Sequence, residues 1–267
     1  MSTFYLLLVA LIQGLTEFLP VSSSGHLILL PQLTGMRDQG LTIDVAVHVG
    51  TLGAVILFFW TDVKSGLAGI PRMLTGRIDT QGSKLAFLLL VATVPVIVVG
   101  LIAKVTGLAD AMRSITVIGW AMLIFGLVLY WFDKKGEDSK IATDWNRRDA
   151  IILGLWQAIA LIPGTSRSGI TITGARALGY TREDAAKISM LMSIPTIIAS
   201  GILLGIDVAG EADIEMMKYA ALGAAFAFVA ALLALTLMMR LLRSVSFAPY
   251  VYYRVILGLV LLAMAYS

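Results

Sequence analysis

The sequence predicts an all-α polytopic membrane protein, with six transmembrane helices and two re-entrant helix pairs arranged as an inverted-topology repeat in a single membrane domain, residues 1–267. Three observations carry this prediction. Apolar residues make up 58% of the chain and charged residues only 14%, with a mean hydropathy of +0.90, whereas about a quarter of a water-soluble domain is charged. Six apolar runs approach the roughly 20 residues that a helix needs to cross a bilayer. Two further apolar segments are broken by Pro, Gly and Ser, and they resemble one another.

The first repeat, residues 1–132, opens with the re-entrant pair 4–34, broken at Leu19-Pro20-Val21-Ser22-Ser23-Ser24-Gly25, and continues through spans 44–61, 84–104 and 113–132. A cytoplasmic loop, 133–148, leads to the second repeat, 149–267. That repeat holds the re-entrant pair 150–178, broken at Pro163-Gly164-Thr165-Ser166-Arg167-Ser168-Gly169, and spans 182–206, 215–240 and 249–266. Such backbone persists at membrane depth only where protein buries it or a water-filled cavity hydrates it. The repeat shows as an offset: Gln13 to Gln157 and Gly25 to Gly169 are each 144 positions apart, and Pro20 to Pro163 is 143. Each broken segment precedes three spans, an odd number, so the second copy is inverted. Met190 and Met192 read as packing residues, and Pro195 is expected to kink its span.

Charge sets the orientation, because short Lys/Arg-rich loops stay in the cytoplasm. Lys64, Arg72, Arg77, Lys84, Lys134, Lys135, Lys140, Arg147, Arg148, Arg240 and Arg243 fall on one side. The other side holds Arg37, Lys104, Arg113 and Lys218, and its 207–215 loop is acidic through Asp207, Glu211, Asp213 and Glu215. Both termini are therefore expected outside, and the two broken tips are expected to meet near the midplane from opposite leaflets. The start, Met1-Ser-Thr-Phe-Tyr, lacks the basic region of a cleaved signal peptide and is expected to be retained. A net charge of +3, scattered among apolar runs, gives no nucleic-acid footprint. With no cysteine, thiolate metal sites and cysteine nucleophiles are excluded.

Chemistry concentrates at the two breaks. Arg167 places a guanidinium where charge is most costly, so it must have a partner. Its planar donors suit an anionic oxygen pair, and the glycine- and serine-rich turn opening a helix aims N–H groups at the same point. A phosphate fits that arrangement, with Thr165, Ser166, Ser168 and Gly169 as binding candidates. A carboxylate partner, for which Glu17 is the candidate, also fits. Gln13 and Glu17, at i and i+4, share a helix face. Glu17 can serve as a general base or hold a divalent cation. Ser22, Ser23, Ser24 and Gly25 follow the break, where the serines can cap the second half-helix or supply a nucleophile. His26 can carry a proton or merely satisfy a carbonyl. Asp44 and His48 are possible supplementary ligands, although Asp44 at a helix start also reads as an N-cap.

Gln13-Gly-Leu-Thr-Glu-Phe-Leu-Pro-Val-Ser-Ser-Ser-Gly-His26 together with Pro163-Gly-Thr-Ser-Arg-Ser-Gly169 resembles the signature pair of the undecaprenyl-diphosphate phosphatases, the membrane enzymes associated with bacitracin resistance. The similarity extends through Asp44-Val-Ala-Val-His-Val-Gly-Thr51 and the spacing of the later spans, hence over nearly the whole chain. The resemblance implies hydrolysis of undecaprenyl diphosphate to the monophosphate and inorganic phosphate, with Mg2+ or Ca2+. That reaction recycles the lipid carrier of cell-wall precursors at the plasma membrane, in a cleft expected to open to the outer face. It implies catalytic roles for Glu17, Ser23, His26 and Arg167, with Gln13 on the acidic helix. One departure stands out: many members carry glutamate where this chain has Gln13, and a single carboxylate weakens a two-carboxylate metal site. An inverted-repeat secondary transporter or lipid flippase explains the architecture equally well, but does not require a Ser/His/Glu cluster facing an arginine loop. A channel is disfavoured, because the polar positions gather at two loops instead of lining a path. Monomer and homodimer are both compatible with the sequence.

Overall fold

The computed structural model describes residues 2–35, 38–208 and 214–267; Arg37, Glu211 and Asp213 of the charge count lie outside the described residues. The described residues form helices joined by turns and short loops, with no strand among them beyond one isolated bridge between Lys140 and Tyr180. In chain order the helices are α1 (Thr3–Thr16), α2 (Ser23–Thr34), α3 (Leu41–Phe58), α4 (Trp60–Leu74), α5 (Gln81–Val105), the single turn α6 (Leu108–Ala111), α7 (Ile115–Lys135), α8 (Arg147–Ile159), α9 (Arg167–Ala177), α10 (Arg182–Val208), α11 (Ile214–Leu241) and α12 (Ala248–Tyr266). A 3₁₀ turn, Ala142–Asp144, precedes α8.

Six of these helices, α3, α5, α7, α10, α11 and α12, are long and apolar enough to cross a membrane. Only 28–39% of each apolar window is buried inside the protein. The remaining apolar side chains face outward, a surface suited to hydrocarbon and not to water. The chain is a multi-pass membrane protein. Local sequence sets the helix starts: Ser2, Ser114 and Asn146 accept backbone N–H bonds as N-caps of α1, α7 and α8, and Thr80 with Ser83 forms a reciprocal capping box on α5.

The first span begins earlier than the expected 44–61, at Leu41 behind the Gly40 cap, and ends earlier because Phe59 leaves helical geometry at φ −101°, ψ 32°. Beyond Phe59 the chain is again helical, where the charged sequence suggests a loop. This helix, α4, is amphipathic, buries Gly66 and Gly69, and packs on α5. Its apolar stripe is too interrupted to register as a span. Asp44 is not an N-cap: Gly40 holds that position at φ 82°, a backbone that side-chain-bearing residues avoid, and Asp44 lies one turn in. Pro195 lies inside α10, and Met190 and Met192 are fully buried packing residues.

Small residues let the helices approach closely. α1 lies on α11 through Gly14, Ala227 and Ala230; α8 lies on α5 through Gly154 and Ala92; α7 meets α12 through Gly119 and Gly258. At the end of the bundle where α7 terminates, charged groups close the fold. Asp133, 2% exposed, accepts from Arg182 Nε at 2.7 Å and from the Phe247 N–H at 3.3 Å, and lies 3.4 Å from Arg176 Nε. Arg176, 1% exposed, also bonds Asp138 and the carbonyl of Tyr180. Beside them Asp149 accepts from Lys140 at 2.9 Å and from the Tyr180 hydroxyl at 2.7 Å. Burial, and the Asp149 carboxylate, push the Tyr180 phenol far above its ordinary range, which keeps it a donor.

A side chain at Gly14 meets the facing helix at once: an added Cβ lies 2.5 Å from the Ala230 methyl and 2.7 Å from the Ala227 carbonyl. Gly14→Val is expected to destabilise the protein by about 1–3 kcal/mol through overpacking, read as a lowered melting temperature in detergent. Gly201→Val, which meets nothing within 4 Å, is the control expected to leave it near the wild type.

Candidate active site

Two helix breaks build the site, and they share one local design. α1 ends at Thr16, and the chain turns through Glu17 to Val21 before Ser22 starts α2. α8 ends at Ile159, and the chain turns before Ser166 starts α9. Ser22 and Ser166 both carry positive φ, 73° and 71°, and both accept through Oγ from the N–H three residues on, Gly25 at 3.4 Å and Gly169 at 3.0 Å. The expected capping role is therefore met by these two serines, leaving Ser23 and Ser24 with other partners.

Glu17 is the hub. It is 7% exposed. One oxygen, Oε1, accepts from Arg167 Nη2 at 2.6 Å; the other, Oε2, accepts from Ser23 Oγ at 2.7 Å and from Gln13 Nε2 at 2.9 Å. His48 on α3 brings Nε2 to 3.8 Å from the same Oε2. Gln13, Glu17, Ser23 and Arg167 thus converge, across 150 residues of sequence, on one carboxylate. Ser168 Oγ donates to the Leu19 carbonyl at 2.9 Å and fastens the second break to the first. Ser166 and Ser168 hydroxyls lie 3.1 Å apart, and Ser24, exposed, lies 3.4 Å from Ser22 Oγ.

His26 turns elsewhere. Its Nδ1–H donates to the Ser22 carbonyl at 2.6 Å, which leaves Nε2 of the neutral ring to accept from the Tyr253 hydroxyl at 2.5 Å. The two rings stack at 5.7 Å with an interplanar angle of 8°. Both ring nitrogens are engaged, and neither partner is Ser23 or Glu17.

Sequence reasoning missed Arg254. It is fully buried in α12, and its guanidinium donates to the carbonyls of Thr165 at 2.8 Å, Gly164 at 3.1 Å, Ala121 at 3.3 Å and Pro20 at 3.4 Å. It therefore holds both breaks by backbone oxygens that their interrupted helices leave unpaired. A single charge in a run as apolar as 249–266 was the available signal, because an intramembrane arginine implies a specific partner.

Three polar atoms at the breaks are buried without a partner: Arg167 Nη1, Thr165 Oγ1 and Gln13 Oε1. The first two can donate to an anion. A divalent cation finds less: among the described residues no three of His, Cys, Asp and Glu gather as a ligand set, and both Glu17 oxygens already accept from donors. Asp44 bonds Gln39 Nε2 at 2.8 Å. These residues do not build a resident cation site.

Six helices long and apolar enough to cross a membrane, together with two broken segments that enclose a guanidinium, a carboxylate and a hydroxyl where they meet, define a polytopic membrane protein with a polar, anion-ready centre. The chain belongs to the bacitracin resistance protein BacA family, whose pattern it matches over residues 6–260. It is 72% identical to the undecaprenyl-diphosphatase of Ruegeria pomeroyi and 69% identical to that of Dinoroseobacter shibae, in each case over all 267 residues and the whole of the relative. It is 44% identical to undecaprenyl-diphosphatase 1 of Rhodospirillum rubrum, covering 98% of this chain and 94% of that one.

Arg254→Lys keeps the charge but loses the fork that reaches several carbonyls at once. Each lost charged hydrogen bond costs about 1.5–3 kcal/mol. A melting temperature well below that of the wild type, with helical content retained by circular dichroism at low temperature, is the expected result.

Proposed function

We infer that this chain is an undecaprenyl-diphosphate phosphatase, releasing inorganic phosphate and undecaprenyl phosphate and so recycling the lipid carrier of cell-wall precursors. The relatives' names support the substrate. The observation that carries the chemistry is the Ser23 hydroxyl donating to the Glu17 carboxylate at 2.7 Å, beside an arginine with one nitrogen free for an anion.

The isoprenoid tail stays in hydrocarbon while the diphosphate enters the centre. Its terminal phosphoryl takes the Arg167 guanidinium from Glu17, satisfying Nη1, and Thr165 donates to a second oxygen. The exchange frees Glu17 to accept a proton. Ser23 Oγ attacks the terminal phosphorus, its proton passes to Glu17, and the bond to the bridging oxygen breaks, the electron pair leaving with undecaprenyl phosphate. Water then attacks the phosphoserine phosphorus, the P–Oγ bond breaks as Glu17 returns its proton to Ser23 Oγ, and both water protons leave with the inorganic phosphate. Arg167 stabilises charge on the equatorial oxygens in both steps. Gln13 holds the Glu17 carboxylate in place. Glu17 is the one carboxylate of the centre that could contribute to holding a divalent cation such as Mg2+ or Ca2+, which would supply neutralisation of the diphosphate charge. His26, stacked on Tyr253, ties α2 to α12 at the rim and is a positioning residue.

The two breaks form re-entrant pairs of an inverted repeat. Matching serine caps support this reading, as does the crossed packing in which α1 lies on α11 and α8 on α5, each broken helix against the second span of the other half. Basic residues at the ends of α4 and α7 support cytoplasmic placement there, with both termini outside and the centre reached from the outer face.

Phosphate release from undecaprenyl diphosphate by protein purified in detergent tests the reading. Wild type is expected to be active; Glu17→Gln, Ser23→Ala and Arg167→Ala are each expected to lose about 10²–10⁴-fold. Ser23→Ala within tenfold of wild type would exclude the serine nucleophile and leave water attack assisted by Glu17. A reporter fused after Ser267 is expected on the outer face, and a cytoplasmic signal there overturns the orientation.

A further inference from the structure

A cavity of about 370 Å³ lies between α4, the start of α5, the 3₁₀ turn and α10, and it shares no lining residue with the Glu17 cluster. Its wall is graded. Leu88, Ile188 and Leu191 on the wall are 3%, 1% and 3% exposed, whereas Lys84, Gln81 and Thr143 are exposed and bring polar groups to the opening. Lys84 Nζ donates to the Thr143 carbonyl at 3.2 Å, and Lys187 Nζ lies 2.9 Å from Asp62 Oδ1. Trp145 also lines the cavity; it is 2% exposed, and its indole N–H is buried without an acceptor. A buried donor left unpaired is costly enough that native structures seldom keep one without a ligand, ion or water to meet it.

We propose that this cavity binds an anionic phospholipid, its phosphodiester held by Lys84, Lys187 and the Trp145 indole N–H and an acyl chain laid against half-buried Leu85, behind which Leu88, Ile188 and Leu191 are packed. Phosphate oxygens match the donors: two ammonium groups and an indole N–H, none of which can accept. Charge selects among headgroups. Two lysines and Asp62 sum to one net positive charge, the complement of a phosphatidylglycerol and not of a zwitterionic lipid. The apolar wall selects lipid over free phosphate, which would satisfy the donors and leave that wall uncovered. The site lies in the layer where Lys64, Arg72 and Arg77 also gather, the side assigned to the cytoplasm, and anionic headgroups of that leaflet attract such residues. The inference is independent of the hydrolytic chemistry.

Delipidated protein in detergent is to be titrated with phosphatidylglycerol, phosphatidylethanolamine or inorganic phosphate, bound lipid being counted by native mass spectrometry. One phosphatidylglycerol is expected to be retained, and Lys84→Gln and Trp145→Phe are each expected to weaken it about tenfold, the range of one charge-assisted hydrogen bond. Lys64→Gln, outside the cavity, is expected to bind as the wild type does. Trp145→Phe keeps an aromatic ring but removes the donor together with the fused five-membered ring of a core side chain, so its lipid-free melting temperature is measured alongside, and Lys84→Gln decides the site if that temperature falls. Equal retention by wild type and both variants overturns the site. Phosphatidylethanolamine binding as tightly overturns the charge selection, and displacement by equimolar inorganic phosphate overturns the lipid occupant. Phosphate release from the prenyl diphosphate is expected within twofold of wild type in all three variants, which separates this result from the proposed activity.

Discussion

A carboxylate from one interrupted helix meets a guanidinium from another at 2.6 Å, with Glu17 only 7% exposed, and the arrangement of the centre depends on that contact. Either charge alone would be prohibitive there; together they are tolerable, and the other Glu17 oxygen also accepts from Ser23 and Gln13. The pair can form only if both breaks lie in register. Ser168 fixes that register at the Leu19 carbonyl, and Arg254 fixes it by gripping carbonyls of both turns. Interrupted helices thus become the means of bringing distant side chains together.

α9 transmits the same order across the fold. Its first residue, Arg167, reaches Glu17, and its penultimate one, Arg176, is sunk among Asp133, Asp138 and the Tyr180 carbonyl. One short helix is therefore pinned by a guanidinium at each end. Arg182 and the Phe247 N–H share Asp133 with Arg176, so α7, α9, α10 and the start of α12 are tied at one point. Such a knot favours rigidity at the far end from the reacting groups.

Hydropathy made the six spans legible, since each is a long apolar run, and the paired offset of Gln13 and Gly25 with Gln157 and Gly169 marked the breaks. Glu17 and Arg167 were readable as partners because a charge at membrane depth demands one. Three features were not readable. α4 mixes apolar and basic residues in a stretch too polar to span, so it passed for a loop. His26 was placed by its neighbours Ser23 and Ser24 in sequence, yet its ring is turned by Tyr253, more than two hundred residues away. Arg254 answers to carbonyl oxygens, which no side-chain pattern announces, and so one charge in an apolar run carried information that only the assembled fold explains.

On the proposed reading, the resident ion pair has a consequence for turnover. Glu17 occupies the guanidinium whenever no ligand does, so incoming diphosphate gains only the difference between two anions, and a leaving phosphate faces a tethered competitor that never diffuses away. The carboxylate serves as an ejector: the same contact that makes arrival less favourable hastens departure, and product inhibition is held down by a group that is part of the chain.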